Sequence, residues 1–66
     1  MKTTINGIAH NIPDNCTLDQ LLKNFEINPQ SVVVDMNGTI LRPVESGQTV
    51  IPPDSSIEIV RFVGGG

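Results

Sequence analysis

The chain contains 66 residues, which fits one small domain whose core supplies no more than about 3 to 5 kcal/mol of net stability. Seven acidic against four basic residues leave a formal charge of -3, which disfavours nucleic acid and anionic membrane surfaces as partners. The longest apolar run, residues 32–34, cannot span a bilayer, and residues 1–5 lack the apolar stretch of a signal peptide, so we expect a cytoplasmic protein.

The first predicted element is a hairpin over residues 1–12. Asn6-Gly7 lies between extended-type residues, and a two-residue type I′ turn needs positive φ at both positions, which Asn and Gly tolerate best. Pro13-Asp14-Asn15 is expected to end the second strand, because proline has no backbone donor and Asp and Asn favour turns.

A helix is predicted next, over about residues 17–26. Thr17 and Gln20 have the spacing of a capping box, in which each side chain bonds the backbone N–H of the other residue. The following Asn28-Pro29 closes the helix. Apolar residues recur with helical spacing and predict one stripe that faces the core, formed by Leu18, Leu21, Leu22 and Phe25.

The middle of the chain predicts short strands. Residues 31–36 are rich in β-branched side chains, and a second pair, Asn37-Gly38, predicts a turn after which residues 39–41 pair back. Arg42-Pro43 is typical of a turn or of the first position of a helix. Residues 49–51 predict a short edge strand that ends at Pro52-Pro53.

The final predicted strand covers residues 57–63. If Ile57 and Ile59 face the core, the alternation of side chains places Glu58, Val60 and Phe62 on the outer face. Exposed apolar side chains in one cluster are candidate anchors for a partner protein. The alternative is that the strand twists and buries Phe62 under a neighbouring loop.

Taken together, the elements predict an α+β fold in which a mixed sheet of four to five strands packs on one main helix. Residues 1–63 are expected to form a single domain, and residues 64–66 a flexible tail. The tail, Gly64-Gly65-Gly66, has no side chains and can enter a narrow channel of another protein. Its terminal carboxylate can be activated by reaction with ATP and then attacked by a sulfur nucleophile.

Candidate catalytic groups are few. No acid and base pair stands out in the sequence, and His10 is predicted to be an outward strand histidine rather than a general base. Cys16 precedes the helix cap, where it is expected to act as a small apolar staple rather than a reactive thiol. His10 and Cys16 are too few for a metal site, and none is expected.

The order of the elements and the glycine end resemble the ThiS family of thiamin-pathway sulfur carriers, which have a ubiquitin-like β-grasp fold. The most specific match is the apolar stretch 57–63 running directly into Gly64-Gly65-Gly66. The resemblance implies a protein co-substrate rather than an enzyme. It also implies no permanently bound cofactor, with ATP used by a partner.

Further implications of the resemblance concern the site and the partners. A ThiF-like adenylating enzyme would activate the carboxylate of Gly66, and a cysteine desulfurase relay would supply the sulfur of a thiocarboxylate. A ThiG-like thiazole synthase would take that sulfur. Gly65 would enter the channel with Gly66, and the face carrying Glu58, Val60, Phe62 and Val63 would dock the partners.

Four alternatives stay open on the sequence. The small subunit of molybdopterin synthase resembles this chain in fold and diglycine end but is usually longer. Carriers for other sulfur pathways, such as tRNA thiolation or cysteine synthesis, are a second alternative. A ubiquitin-like modifier would use the same acyl-adenylate to form isopeptide bonds. A β-grasp module that binds RNA is disfavoured by the acidic balance.

Overall fold

The computed structural model describes residues 1–62, which form a mixed five-stranded sheet packed on a short helix. The elements are β1 (Lys2–Ile5), β2 (Ile8–Asn11), α1 (Leu18–Asn24), a 3-10 turn (Pro29–Ser31), β3 (Val32–Met36), β4 (Thr39–Leu41), α2 (Pro43–Ser46) and β5 (Ser56–Arg61). Strands β1 and β5 are parallel, and the other pairs in the order β2-β1-β5-β3-β4 are antiparallel. This confirms the predicted α+β architecture.

Both predicted Asn-Gly turns are present. Asn6 and Gly7 have φ of 50° and 83°, and Asn37 and Gly38 have φ of 53° and 91°. Positive φ at both central positions suits the right-handed twist of the flanking strands. The two turns therefore set the pairing of β1 with β2 and of β3 with β4.

The helix begins as predicted but ends earlier. Thr17 Oγ1 accepts from the Gln20 N–H at 3.2 Å, and Gln20 Oε1 accepts from the Thr17 N–H at 3.0 Å, so the capping box is complete. Helix α1 ends at Asn24 because Glu26 adopts a φ of 55° and its N–H donates to the Lys23 carbonyl.

The prediction that Phe25 lies in the core stripe is therefore wrong. Phe25 caps the end of the helix and is 37% exposed, whereas the other three members of the stripe are buried. Its ring meets the imidazole of His10 edge-on, with 5.1 Å between ring centroids. His10 lies opposite the buried Thr3 and so faces the helix side, which corrects the prediction of an outward histidine.

The predicted edge strand at residues 49–51 is also wrong. Val50 forms an isolated bridge with Thr17, and the Ile51 N–H donates to the Cys16 carbonyl at 2.9 Å. This segment therefore pairs with the chain that enters α1, outside the sheet. The helical alternative at Pro43 is confirmed, since Pro43 occupies the first turn of α2.

The core lies between the sheet and α1. Its buried apolar side chains come from the sheet, from α1 and from the connecting segments: Ile5, Ile12, Cys16, Leu18, Leu21, Leu22, Val32, Val34, Met36, Ile51 and Ile57. Within residues 1–62, no helix is long and apolar enough to cross a membrane.

Candidate functional site

Strand β5 lies at the centre of the candidate site because it leads the chain toward the glycine tail. The turn asparagines hold this strand in place. The Ile59 N–H donates to Asn6 Oδ1 at 2.8 Å, and the Ser56 N–H donates to Asn37 Oδ1 at 2.8 Å. Two turns at different places in the chain thus fix the position of β5, a role that the Asn-Gly pattern alone did not reveal.

The predicted final strand is shorter than expected, because β5 ends at Arg61 and Phe62 follows it. The side chains of β5 alternate between the two faces of the sheet as predicted. Ile57 is fully buried, and Ile59 packs against the core. Glu58 is exposed, Val60 is 51% exposed and Phe62 is 45% exposed. Phe62 is therefore not buried under a loop, and the outer face carries the apolar side chains that the alternation predicted.

The register of the sheet adds three residues that the sequence reasoning missed. Val33 of β3 lies opposite Val60, Asp35 lies opposite Glu58, and Ile40 of β4 lies opposite Asp35. Ile40 is 64% exposed. Counting two residues outward from each side of the Asn37-Gly38 turn would have paired Asp35 with Ile40.

We call the outer face of β3, β4 and β5, together with the following Phe62, the docking face; its members are Val33, Asp35, Ile40, Glu58, Val60 and Phe62. Exposed apolar side chains next to carboxylates favour a partner with both apolar and basic groups. Val63, Gly64, Gly65 and Gly66 lie outside the described residues, as does part of the predicted boundary between domain and tail.

Cys16 is a buried member of the core. Burial raises the pKa of its thiol, because the interior disfavours the thiolate. A raised pKa and poor access make a poor nucleophile, which supports the structural interpretation of this residue. Within the described part of the chain, no group of three or more His, Cys, Asp or Glu side chains could hold a metal ion.

Comparison with known proteins gives a consistent result. The family model described as "ThiS family" matches residues 3–66. A crystal structure of a thiamine biosynthesis protein (ThiS) from Geobacter metallireducens superposes with a TM-score of 0.82 at 25% identity, covering 100% of both chains. This similarity confirms the predicted β-grasp architecture.

Curated relatives are of two kinds. A thiazole synthase of Magnetococcus marinus is 36% identical over 66 residues, covering 100% of this chain and 20% of the relative. The protein ycf40 of Porphyra purpurea is 31% identical over 62 residues, covering 94% of this chain and 87% of the relative. The chain thus spans a fifth of the length of the thiazole synthase.

Proposed function

The chain belongs to the ThiS family, and from that membership we propose that it is the sulfur carrier protein of thiamin thiazole biosynthesis. The family match carries this proposal, because it extends over residues 3–66 and so includes the whole glycine tail as well as the folded body. In this proposal the tail bears the reacting group, and the body is the part that partner enzymes recognise.

The proposed chemistry takes place at the carboxylate of Gly66. A carboxylate is a poor electrophile, so a ThiF-like enzyme first lets it attack the α-phosphorus of ATP, with pyrophosphate as the leaving group. The outer sulfur of a persulfide that derives from a cysteine desulfurase then attacks the acyl carbon, and AMP leaves, which gives an acyl disulfide. A thiol attacks the inner sulfur of this acyl disulfide, so that the S–S bond breaks, a new disulfide forms, and the acyl group keeps the outer sulfur. The product is a thiocarboxylate, in which one sulfur has replaced one oxygen.

The chain itself acts as a co-substrate in this scheme. The thiol of Cys16 is buried and has a raised pKa, so it is a poor candidate to carry sulfur in place of Gly66. ATP belongs to the adenylating partner, and Gly64 and Gly65 enter that partner's channel together with Gly66.

The docking face is the proposed contact surface for the adenylating enzyme and for a ThiG-like thiazole synthase. Val60 and Phe62 are each about half exposed. Val60 lies on β5, and Phe62 follows the end of that strand in the direction of the tail. A partner that covers them can therefore hold the body while it receives the tail. Val63 continues this stretch in sequence and is included in the proposed contact.

Thiamin is the favoured pathway because two curated relatives, of Magnetococcus marinus and Paramagnetospirillum magneticum, are thiazole synthases that align with this chain over its full length. A domain of this kind on the same polypeptide as a thiazole synthase is consistent with transfer of sulfur between the two. The same relatives disfavour the molybdopterin alternative.

The test is ATP–pyrophosphate exchange catalysed by the purified ThiF-like enzyme. We expect exchange to depend on this chain and to disappear when Gly66 is deleted, because the deletion moves the carboxylate away from the α-phosphate. Exchange that persists with the deletion variant would contradict the assignment of Gly66. A product joined to a lysine by an isopeptide bond would instead support the modifier alternative.

A further inference from the structure

Two carboxylates face each other at the centre of the docking face. Asp35 of β3 and Glu58 of β5 are directly paired in the antiparallel register. Side chains in such a pair have Cβ atoms about 4.5 to 5.5 Å apart, and like charges there destabilise the sheet. Within residues 1–62 neither carboxylate forms an ion pair.

No basic side chain within residues 1–62 forms an ion pair with either carboxylate. Arg61 pairs with the buried Val32 and so projects to the helix side of the sheet, and Lys23 is in the last turn of α1. Arg42 comes two residues after Ile40, and its Nη1 lies 3.9 Å from Glu45 Oε2. Lys2 shares the outer face, but the parallel register pairs Thr4 with Ser56. Glu58 therefore lies about four residues further along the sheet than Lys2, or roughly 13 Å.

Apolar side chains flank the two carboxylates. Ile40 lies opposite Asp35 on β4, and Val60 follows Glu58 on the same face of β5. A partner that covers Ile40 and Val60 also removes water from the carboxylates between them. Burying charges is costly unless each finds a charged or hydrogen-bonding partner, so the covering surface must supply a cation.

Asp35 is already oriented for such a contact. Its Oδ1 accepts from the Gly38 N–H at 2.9 Å, which ties the carboxylate to the β3–β4 turn. Within residues 1–62, the second oxygen of Asp35 and both oxygens of Glu58 accept no hydrogen bond, so they can accept one from a donor outside the chain. A guanidinium has five N–H donors in a planar fork and can bond two carboxylates at once.

We propose that Asp35 and Glu58 form an acidic recognition pair that receives an arginine, surrounded by apolar side chains, on the adenylating enzyme. This inference rests on the proposed function and names the chemistry by which the docking face selects its partner. The repulsion between the two carboxylates in the free carrier is relieved when the arginine binds, so the pair favours the complex.

The test compares two double variants that each remove two carboxylates from a chain of formal charge -3. Asp35→Asn with Glu58→Gln neutralises the pair and keeps an oxygen acceptor for the Gly38 N–H. The matched control, Asp19→Asn with Glu26→Gln, changes exposed acids on and after α1, on the other side of the sheet. Both are titrated against the ThiF-like enzyme by calorimetry, at about 50 and 300 mM salt.

We expect the pair variant to bind roughly 30-fold more weakly or worse and to lose most of the salt dependence of the wild type. The control is expected to stay within about threefold of the wild type, as a change remote from the interface should. The pair variant should also melt at a higher temperature than the wild type, because the like-charge repulsion is gone. Higher stability with weaker binding is a combination that a purely structural role would not give.

Equal loss of affinity in both double variants would overturn the proposal, since net charge alone would then explain it. An unchanged dissociation constant for the pair variant would overturn it as well. Failure of the proposed function looks different, because the wild type would then not bind the adenylating enzyme at either salt concentration.

Discussion

Replacing Val60 and Phe62 together by alanine tests whether the docking face binds the adenylating enzyme. The two side chains are 51% and 45% exposed. Complete burial of such a side chain contributes about 1.5 to 3 kcal/mol, so covering the exposed halves of both contributes roughly 1.5 to 3 kcal/mol. The double variant should therefore bind about 10- to 150-fold more weakly.

The assay is isothermal titration calorimetry with the adenylating enzyme, at a temperature where urea unfolding shows the variant to be folded. Ile57→Val on the same strand is the matched control, because Ile57 is fully buried on the other face. This control should lose about 0.5 to 1.5 kcal/mol of stability and keep the wild-type dissociation constant. A folded double variant that binds as tightly as the wild type would refute the assignment of the face.

Three further predictions concern the folded body of the chain. Thr17→Ala breaks the capping box and should cost about 1 kcal/mol, which lowers the melting temperature by roughly 4 to 8 °C; an unchanged melting temperature would contradict the role of the cap. Thr3→Val should raise the unfolding free energy by about 1 kcal/mol, because the buried Thr3 Oγ1 has no hydrogen-bond partner among residues 1–62; a loss of stability in urea titrations would show that the hydroxyl is paired. Burial raises the pKa of the Cys16 thiol, so the folded state favours the protonated thiol. The stability that this preference contributes is fully present below the ordinary thiol pKa of about 8.5 and is lost as the pH rises toward the folded-state value. Urea titrations across this range should show that decline in the wild type and not in Cys16→Ala, and parallel profiles would contradict it.

The parts of the fold that the sequence predicted well are those set by local chemistry. Asn6-Gly7 and Asn37-Gly38 form the expected turns because few other residue pairs tolerate positive φ at both positions. The capping box joins Thr17 and Gln20 within one turn of helix. The outward placement of Val60 needed only the alternation of side chains along a strand.

The failures involve contacts between distant parts of the chain or an unusual backbone conformation. The helix ends early because Glu26 adopts a positive φ. Glycine or asparagine would have signalled this conformation in the sequence, but position 26 holds neither. Phe25 lies outside the core as a result. Residues 49–51 look like a strand, but their hydrogen bonds go to the segment before α1. A short β-type pattern does not specify its partner.

The candidate site shows the same division. Glu58, Val60 and Phe62 follow from one strand, whereas Asp35 and Ile40 join them only through the register of three strands. The hydrogen bonds from Asn6 and Asn37 to β5 likewise depend on the tertiary arrangement. Such juxtapositions are set by strand pairing, so a single sequence read element by element does not reveal them.

Intact mass spectrometry after incubation with ATP, the adenylating enzyme and a cysteine desulfurase with cysteine tests the central claim most directly. The account predicts that one sulfur replaces one oxygen, that fragmentation places this change at Gly66, and that it is absent without ATP or after deletion of Gly66. Sulfur found on Cys16, or sulfur loading that survives the deletion, would contradict it.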